Sequence, residues 1–131
     1  MILKNLDQIG SKKFEYTIIG SGPAGITLAT TLAKKNKRIL LIEAGGFNFS
    51  EKSQSFYSGK VIGDNYYDLN TCRLRYFGGT SGHWRGTCRL LDEIDFEKWI
   101  INKNSIDIYA NRAKEILNLK GDFSSVKSEF E

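Results

Sequence analysis

Three glycines, Gly20, Gly22 and Gly25, stand in the spacing G-x-G-x-x-G, with Ser21, Pro23 and Ala24 between them. The pattern has a physical use where it follows a strand and opens a helix. Gly20 permits the tight turn. Gly22 carries no side chain, so the backbone can approach a pyrophosphate, and Gly25 lets the helix pack closely on the sheet. N–H groups of the first helical turn then face the phosphates, and the helix dipole favours their negative charge. Glu43 ends the next apolar run. An acid there can accept hydrogen bonds from the hydroxyls of an adenosine ribose, worth about 1.5–3 kcal/mol each to a charged group. The same carboxylate repels a 2′-phosphate, which argues against NADP. Spacing alone is weak evidence in a chain with 13 glycines, so the alternative is an accidental glycine-rich turn in another α/β domain.

A second glycine-rich stretch, Gly78-Gly79-Thr80-Ser81-Gly82-His83-Trp84-Arg85-Gly86, holds the only histidine. Arg73, Arg75, Arg85 and Arg89 surround it. They could touch phosphates, but most such arginines are solvated or pair locally, and none is singled out. Cys72 and Cys88 show no CxxC spacing and no second ligand nearby. Plain reduced thiols are expected, and no metal site.

The elements that must position these residues are local and regular at first. Phe14 to Ile19 is short, β-branched and aromatic, which predicts a buried strand. From Pro23 to about Lys35, Ile26, Ala29 and Ala33, with Leu28 and Leu32, fall at helical spacing. Pro23 suits the first turn, and Lys34, Lys35 and Lys37 crowd the expected end, where positive charge is favoured. Arg38 to Ile42 reads as a second strand. Strand, helix and strand make a βαβ unit over 14–46, which implies a parallel sheet.

Beyond it the pattern weakens. Residues 1–13 read as a polar leader and 47–70 as a long loop. Thr71 to Phe77 alternates, which predicts a short extended segment. Over 95–119, Asp95 is expected to cap a short helix through Trp99. Ser105 is expected to cap a longer amphipathic one carrying Ile106, Tyr109, Ala110, Ala113, Ile116 and Leu117, with Gly121 as its stop.

A chain of 131 residues has room for one small domain, here 14–131 after the leader. The hydrophobic share of 40% and charged share of 26% suit a folded domain. The net charge of +4 comes from scattered residues, so no nucleic-acid partner is expected. The run Ile39–Ile42 is far short of a membrane span, and the first residues lack a secretory core, so a cytoplasmic location is the default expectation.

The fingerprint does not choose between FAD and NAD. The stretch Arg73–Gly86, followed by Leu91-Asp92-Glu93-Ile94-Asp95-Phe96-Glu97, resembles the flavin-contacting segment of the glucose–methanol–choline (GMC) oxidoreductases. It is most similar to the branch with a GGTSxHW signature, which includes pyranose-oxidising enzymes. The Gly20–Gly25 turn and the strand end Leu41-Ile42-Glu43-Ala44-Gly45 are similar to that family too, and the resemblance runs from about Tyr16 to Leu119.

The resemblance implies an α/β, Rossmann-like FAD/NAD(P)-binding fold with FAD as the cofactor. It implies oxidation of a small-molecule alcohol or sugar hydroxyl by hydride transfer to flavin N5. Cofactor contacts are expected at Gly20, Ser21, Gly22, Pro23, Ala24, Gly25, Glu43 and Ala44, and again at Gly78, Gly79, Thr80, Ser81, His83 and Trp84 within a flavin-contacting loop over 71–90. Small residues at 78–81 let backbone N–H groups reach the cofactor. In some relatives a histidine at the position of His83 carries the flavin covalently, as a neutral imidazole attacking the flavin 8-methyl carbon. A histidine that only packs on Trp84 or bonds the loop is the equal alternative.

Two features depart from the family. Its catalytic His–His or His–Asn pair lies near a distant C-terminus and has no counterpart here, so no catalytic residue is assigned. Its Gly-Trp-Pro turn is replaced by Trp99-Ile100-Ile101-Asn102-Lys103-Asn104-Ser105, without proline. A doubly wound sheet has about five or six strands, yet only two are evident, so the parallel sheet is expected to be incomplete. The chain is expected to be a truncated segment, marginal alone, with the remainder of the enzyme chain or a complementary subunit as its partner. Two other readings stay open: another FAD- or NAD-dependent reductase or monooxygenase, or a catalytically inactive nucleotide-binding fragment.

Overall fold

A computed structural model describes residues 1–84 and 86–120. The chain divides into two compact units, Met1–Arg85 and Gly86–Glu131.

In the first unit, β1 (Tyr16–Ile19) and β2 (Ile39–Ile42) pair in parallel, with Tyr16 opposite Ile39 and Ile19 opposite Ile42. A parallel pair needs a crossover, and α1 (Pro23–Ala33) supplies it. Glu15 clasps the start of the ladder: its carboxylate accepts from the Arg38 N–H at 3.0 Å and from Lys37 Nζ at 3.1 Å. The far end closes where the Gly20 N–H donates to the Ile42 carbonyl at 2.7 Å. Ile18 is the buried apolar side chain of this unit, while Ile19, whose side chain points to the opposite face of the sheet, is 84% exposed. The sheet has two strands among the described residues, a narrow surface for a helix to pack on, and α1 has no buried residue; Leu28 on its expected apolar face is exposed.

The helix ends earlier than its charge pattern predicts. It stops at Ala33, and the lysines lie just past the last turn. Asn36 takes a left-handed φ of 59°, and the Lys37 N–H returns to the Leu32 carbonyl at 3.1 Å. Asn tolerates that conformation better than most residues, so the reversal into β2 is set there.

Residues 1–13 contain one 3-10 turn, Leu6–Ile9, capped by the Asn5 side chain. The segment 47–70 is not one open loop. It holds α2 (Glu51–Gln54), a 3-10 turn at Ser55–Tyr57, and the start of α3 (Leu69–Cys72). Turns this short carry no helical period. What organises them is the buried amide of Gln54. It donates to the carbonyls of Asn70 and Arg73 and accepts the Arg75 N–H at 3.0 Å. The extended segment expected at 71–77 does not form as such. Thr71 and Cys72 finish α3, and the backbone of Arg75 is bonded by the side chains of Gln54 and Ser53 instead of by a strand.

In the second unit, Phe96 is the buried apolar side chain, with Trp99 edge-on to its ring at 5.4 Å between centroids. Its helices begin on other residues than the sequence suggests. α4 (Glu93–Phe96) is capped by Asp92 in a reciprocal box with Asp95, so Asp95 is the third helical residue and not the cap. Asn102, not Ser105, caps α5 (Lys103–Asp107), accepting the Ser105 N–H at 2.9 Å. The long helix expected from Ser105 is broken at Ile108–Tyr109, and α6 (Ala110–Leu117) follows. In both cases an earlier Asx side chain reaches the N–H three residues on, which a rule that reads one candidate cap at a time overlooks. Asn118, in a left-handed conformation, ends α6; the stop expected at Gly121 lies outside the described residues.

Candidate functional site

The site is built at the mouth of α1. Gly20 has φ +95°, a conformation that glycine adopts without the penalty of a Cβ. Gly25 is fixed by packing: a Cβ there would stand 1.9 Å from the Gly20 carbonyl oxygen. Gly22 is different. It precedes Pro23 as the N-cap with φ −68° and ψ 178°, backbone that any residue can adopt, and a Cβ built on it meets nothing within 4 Å. Neither backbone strain nor internal packing requires glycine at 22. The first-turn N–H groups beside it have no carbonyl partner within the helix. A glycine that the fold does not need, next to such donors and facing open space, suits close approach by an anionic group.

The second glycine-rich stretch comes to the same place. The Gly78 N–H donates to the Ser21 carbonyl at 3.1 Å and to Ser21 Oγ at 3.2 Å, across 57 residues of sequence. Gly78 and Gly79 have φ of 92° and 61°, so both use the left-handed region. A Cβ on Gly79 would lie 3.6 Å from the Cα of Gly22, which sets the two backbones side by side. Gly79–Gly82 then forms a 3-10 turn, steadied by Ser81 Oγ donating to the Gly78 carbonyl at 2.6 Å and by Thr80 Oγ1 accepting the Leu74 N–H at 3.2 Å. His83 and Trp84 leave this turn with exposed side chains. Arg85 lies outside the described residues, and Arg89 belongs to the other unit.

Glu43 stands at the end of β2, where its carboxylate is engaged by the turn itself. Oε2 accepts from the Ser21 N–H at 2.8 Å and from Ser21 Oγ at 2.6 Å, and Oε1 accepts from the Gly45 N–H at 2.9 Å. Burial pushes its pKa upward, but the bonds from the Ser21 hydroxyl and the N–H groups of Gly45, Ser21 and Ala44 outweigh this and hold it below the ordinary carboxylate value. A carboxylate has about four lone-pair sites, so these contacts leave little capacity for a ribose. Ala44 is exposed beside it.

Three contributors were not singled out by the sequence. Gly45 is one: a Cβ there would fall 2.2 Å from the Arg75 carbonyl oxygen, so the end of β2 packs backbone to backbone on 75–76. Gly46 accepts the Phe77 N–H at 2.9 Å and continues that clasp. Tyr76 lies under the 3-10 turn, its hydroxyl 1.8 Å from where a Gly82 Cβ would be. The paired glycines after Glu43 were the available signal.

Comparison with known proteins agrees with this geometry. Residues 18–63 match the family described as NAD(P)-binding Rossmann-like domain. A patulin synthase from Aspergillus clavatus is 36% identical over 64 residues, covering 42% of this chain and 10% of the relative. The chain therefore carries a Rossmann-like dinucleotide-binding domain with an incomplete α/β sheet, and it matches only about a tenth of the length of that relative.

Proposed function

We propose, from a chain that fits the N-terminal, FAD-binding part of a glucose–methanol–choline oxidoreductase, that the mouth of α1 holds the diphosphate of FAD. The support is the open space at Gly22, a position where neither φ nor packing calls for glycine. Gly20 to Gly25 cradle the diphosphate, with Ser21, Pro23 and Ala24 forming the wall of the turn. Glu43 and Ala44 lie toward the adenosine side. Gly78, Gly79, Thr80 and Ser81 run along the flavin side, and His83 and Trp84 border it. His83 is the candidate for a covalent flavin link.

Bound FAD would accept a hydride from an alcohol or sugar hydroxyl carbon. This chain's own residues orient it and screen its charge. Backbone N–H groups face the phosphates, and the absence of side chains at 22, 78 and 79 allows close approach. No residue of this chain is assigned to handling the substrate proton. FAD is favoured over NAD by the second glycine-rich turn beside the first, since a Rossmann turn alone serves either cofactor.

Reconstitution tests this. The purified chain, incubated with FAD or with NAD and desalted, is expected to retain a flavin absorption band and no nicotinamide. Retention of NAD with loss of FAD would sink the proposal.

A further inference from the structure

Ser21 is the spacer of the fingerprint, a position the motif leaves unspecified, yet it is the one side chain in the described residues with no solvent exposure at all. A fully buried hydroxyl must find partners, because leaving one unsatisfied is costly. Ser21 uses every polar atom it has. Its Oγ donates to Glu43 Oε2 at 2.6 Å and accepts the Gly78 N–H at 3.2 Å. Its own N–H donates to the same carboxylate oxygen at 2.8 Å, and its carbonyl accepts the Gly78 N–H at 3.1 Å. Three pieces of backbone that are remote in sequence, the α1 mouth, the end of β2 and the second glycine-rich turn, meet on this residue.

We infer that Ser21 is a positioning residue whose buried hydroxyl fastens the Gly78 turn and the Glu43 carboxylate to the mouth of α1, setting the two halves of the cofactor cradle relative to each other. The inference rests on the cradle reading above for its consequence in binding, but the fastening itself is a property of the chain without ligand. The hydroxyl can do this because it is donor and acceptor at once. Alanine keeps the volume and removes both roles. The N–H of Gly78 would keep only the Ser21 carbonyl, and the carboxylate would keep only N–H donors. The leading groups that draw the Glu43 carboxyl downward, the Ser21 hydroxyl and the N–H groups of Gly45, Ser21 and Ala44, are hydrogen-bond donors, and no charged side chain ranks among them. Removing the hydroxyl therefore moves its titration toward higher pH, which loss of packing alone would not do.

The test compares wild type, Ser21→Ala and Ser21→Cys in the full chain. Cysteine keeps the shape with a much weaker donor. Hydrogen exchange read by mass spectrometry in the absence of cofactor is expected to rise over residues 76–82 in Ser21→Ala, with β1 protected as in wild type and Ser21→Cys in between. FAD titration is expected to show a Kd raised about tenfold or more, with the acid limb of FAD retention displaced to higher pH. Unchanged exchange at 76–82 together with an unmoved acid limb overturns the inference. If Ser21→Ala loses protection everywhere, Ser21→Cys decides: protection over 76–82 equal to wild type overturns it, and a selective rise there supports it. Failure of wild type to bind FAD would overturn the cofactor proposal alone, since the exchange arm still judges Ser21.

Discussion

Gly22 and Gly25 belong to one fingerprint but should fail in opposite ways when enlarged. Consider Gly22→Val and Gly25→Ala. At 22 the backbone is ordinary extended chain and a Cβ has free space, so the fold accommodates the side chain. Glycine is a better N-cap than valine by up to about 1 kcal/mol. Loss of unfolded-state freedom returns about 0.4–1 kcal/mol, so stability should be nearly unchanged. The bound diphosphate, by contrast, would be pushed away from the first-turn donors. Losing two hydrogen bonds to a charged group, at about 1.5–3 kcal/mol each, amounts to about two to four decades in Kd. At 25 the Cβ would lie 1.9 Å from the Gly20 carbonyl oxygen, so backbone must move. Overpacking of that kind costs about 1–3 kcal/mol, seen as a melting point lower by several degrees. The assay is a paired one: thermal unfolding of the cofactor-free chain, and FAD titration by flavin fluorescence. Should Gly22→Val melt like wild type and still bind FAD within threefold of it, the diphosphate is not at this turn.

Two further outcomes follow from the same contacts. The folded Glu43 has a pKa below its ordinary value. Its contribution to stability is therefore complete above the ordinary carboxylate range and is lost as pH falls through the folded value; Glu43→Gln should flatten that acid limb in urea midpoints measured from neutrality downward. Gln54→Leu removes a buried amide that bonds Asn70, Arg73 and Arg75. It should destabilise the chain by about 1–3 kcal/mol through unsatisfied backbone groups, and a urea midpoint equal to wild type would refute that role.

The βαβ unit and the glycine turn were legible because their signals are local. A β-branched run, a helical period, Pro23 at the first turn and a fixed glycine spacing each act within a few residues. The segment 47–77 was not legible, since its turns are three or four residues long and are held by Gln54 from a distance. The caps at Asp92 and Asn102 were readable in principle, but each competes with a second polar residue three positions later. The proximity of Gly22 and Gly79 was implied only through resemblance. The central place of Ser21 left no trace in composition or period, because the motif treats that position as arbitrary.

The Ser21–Gly78 contact spans 57 residues, and this has a consequence for how the molecule folds. Closing a flexible chain of that length scales as (3/2)RT ln n, about 3.6 kcal/mol before constant terms. The β1–β2 pair closes a shorter stretch, bridged by α1 between Tyr16 and Ile39, and can assemble earlier, whereas the cradle belongs to the slower, higher-contact-order part of folding. A ligand that grips both turns therefore opposes the chain's tendency to reopen, and cofactor concentration becomes a determinant of how long the folded molecule lasts.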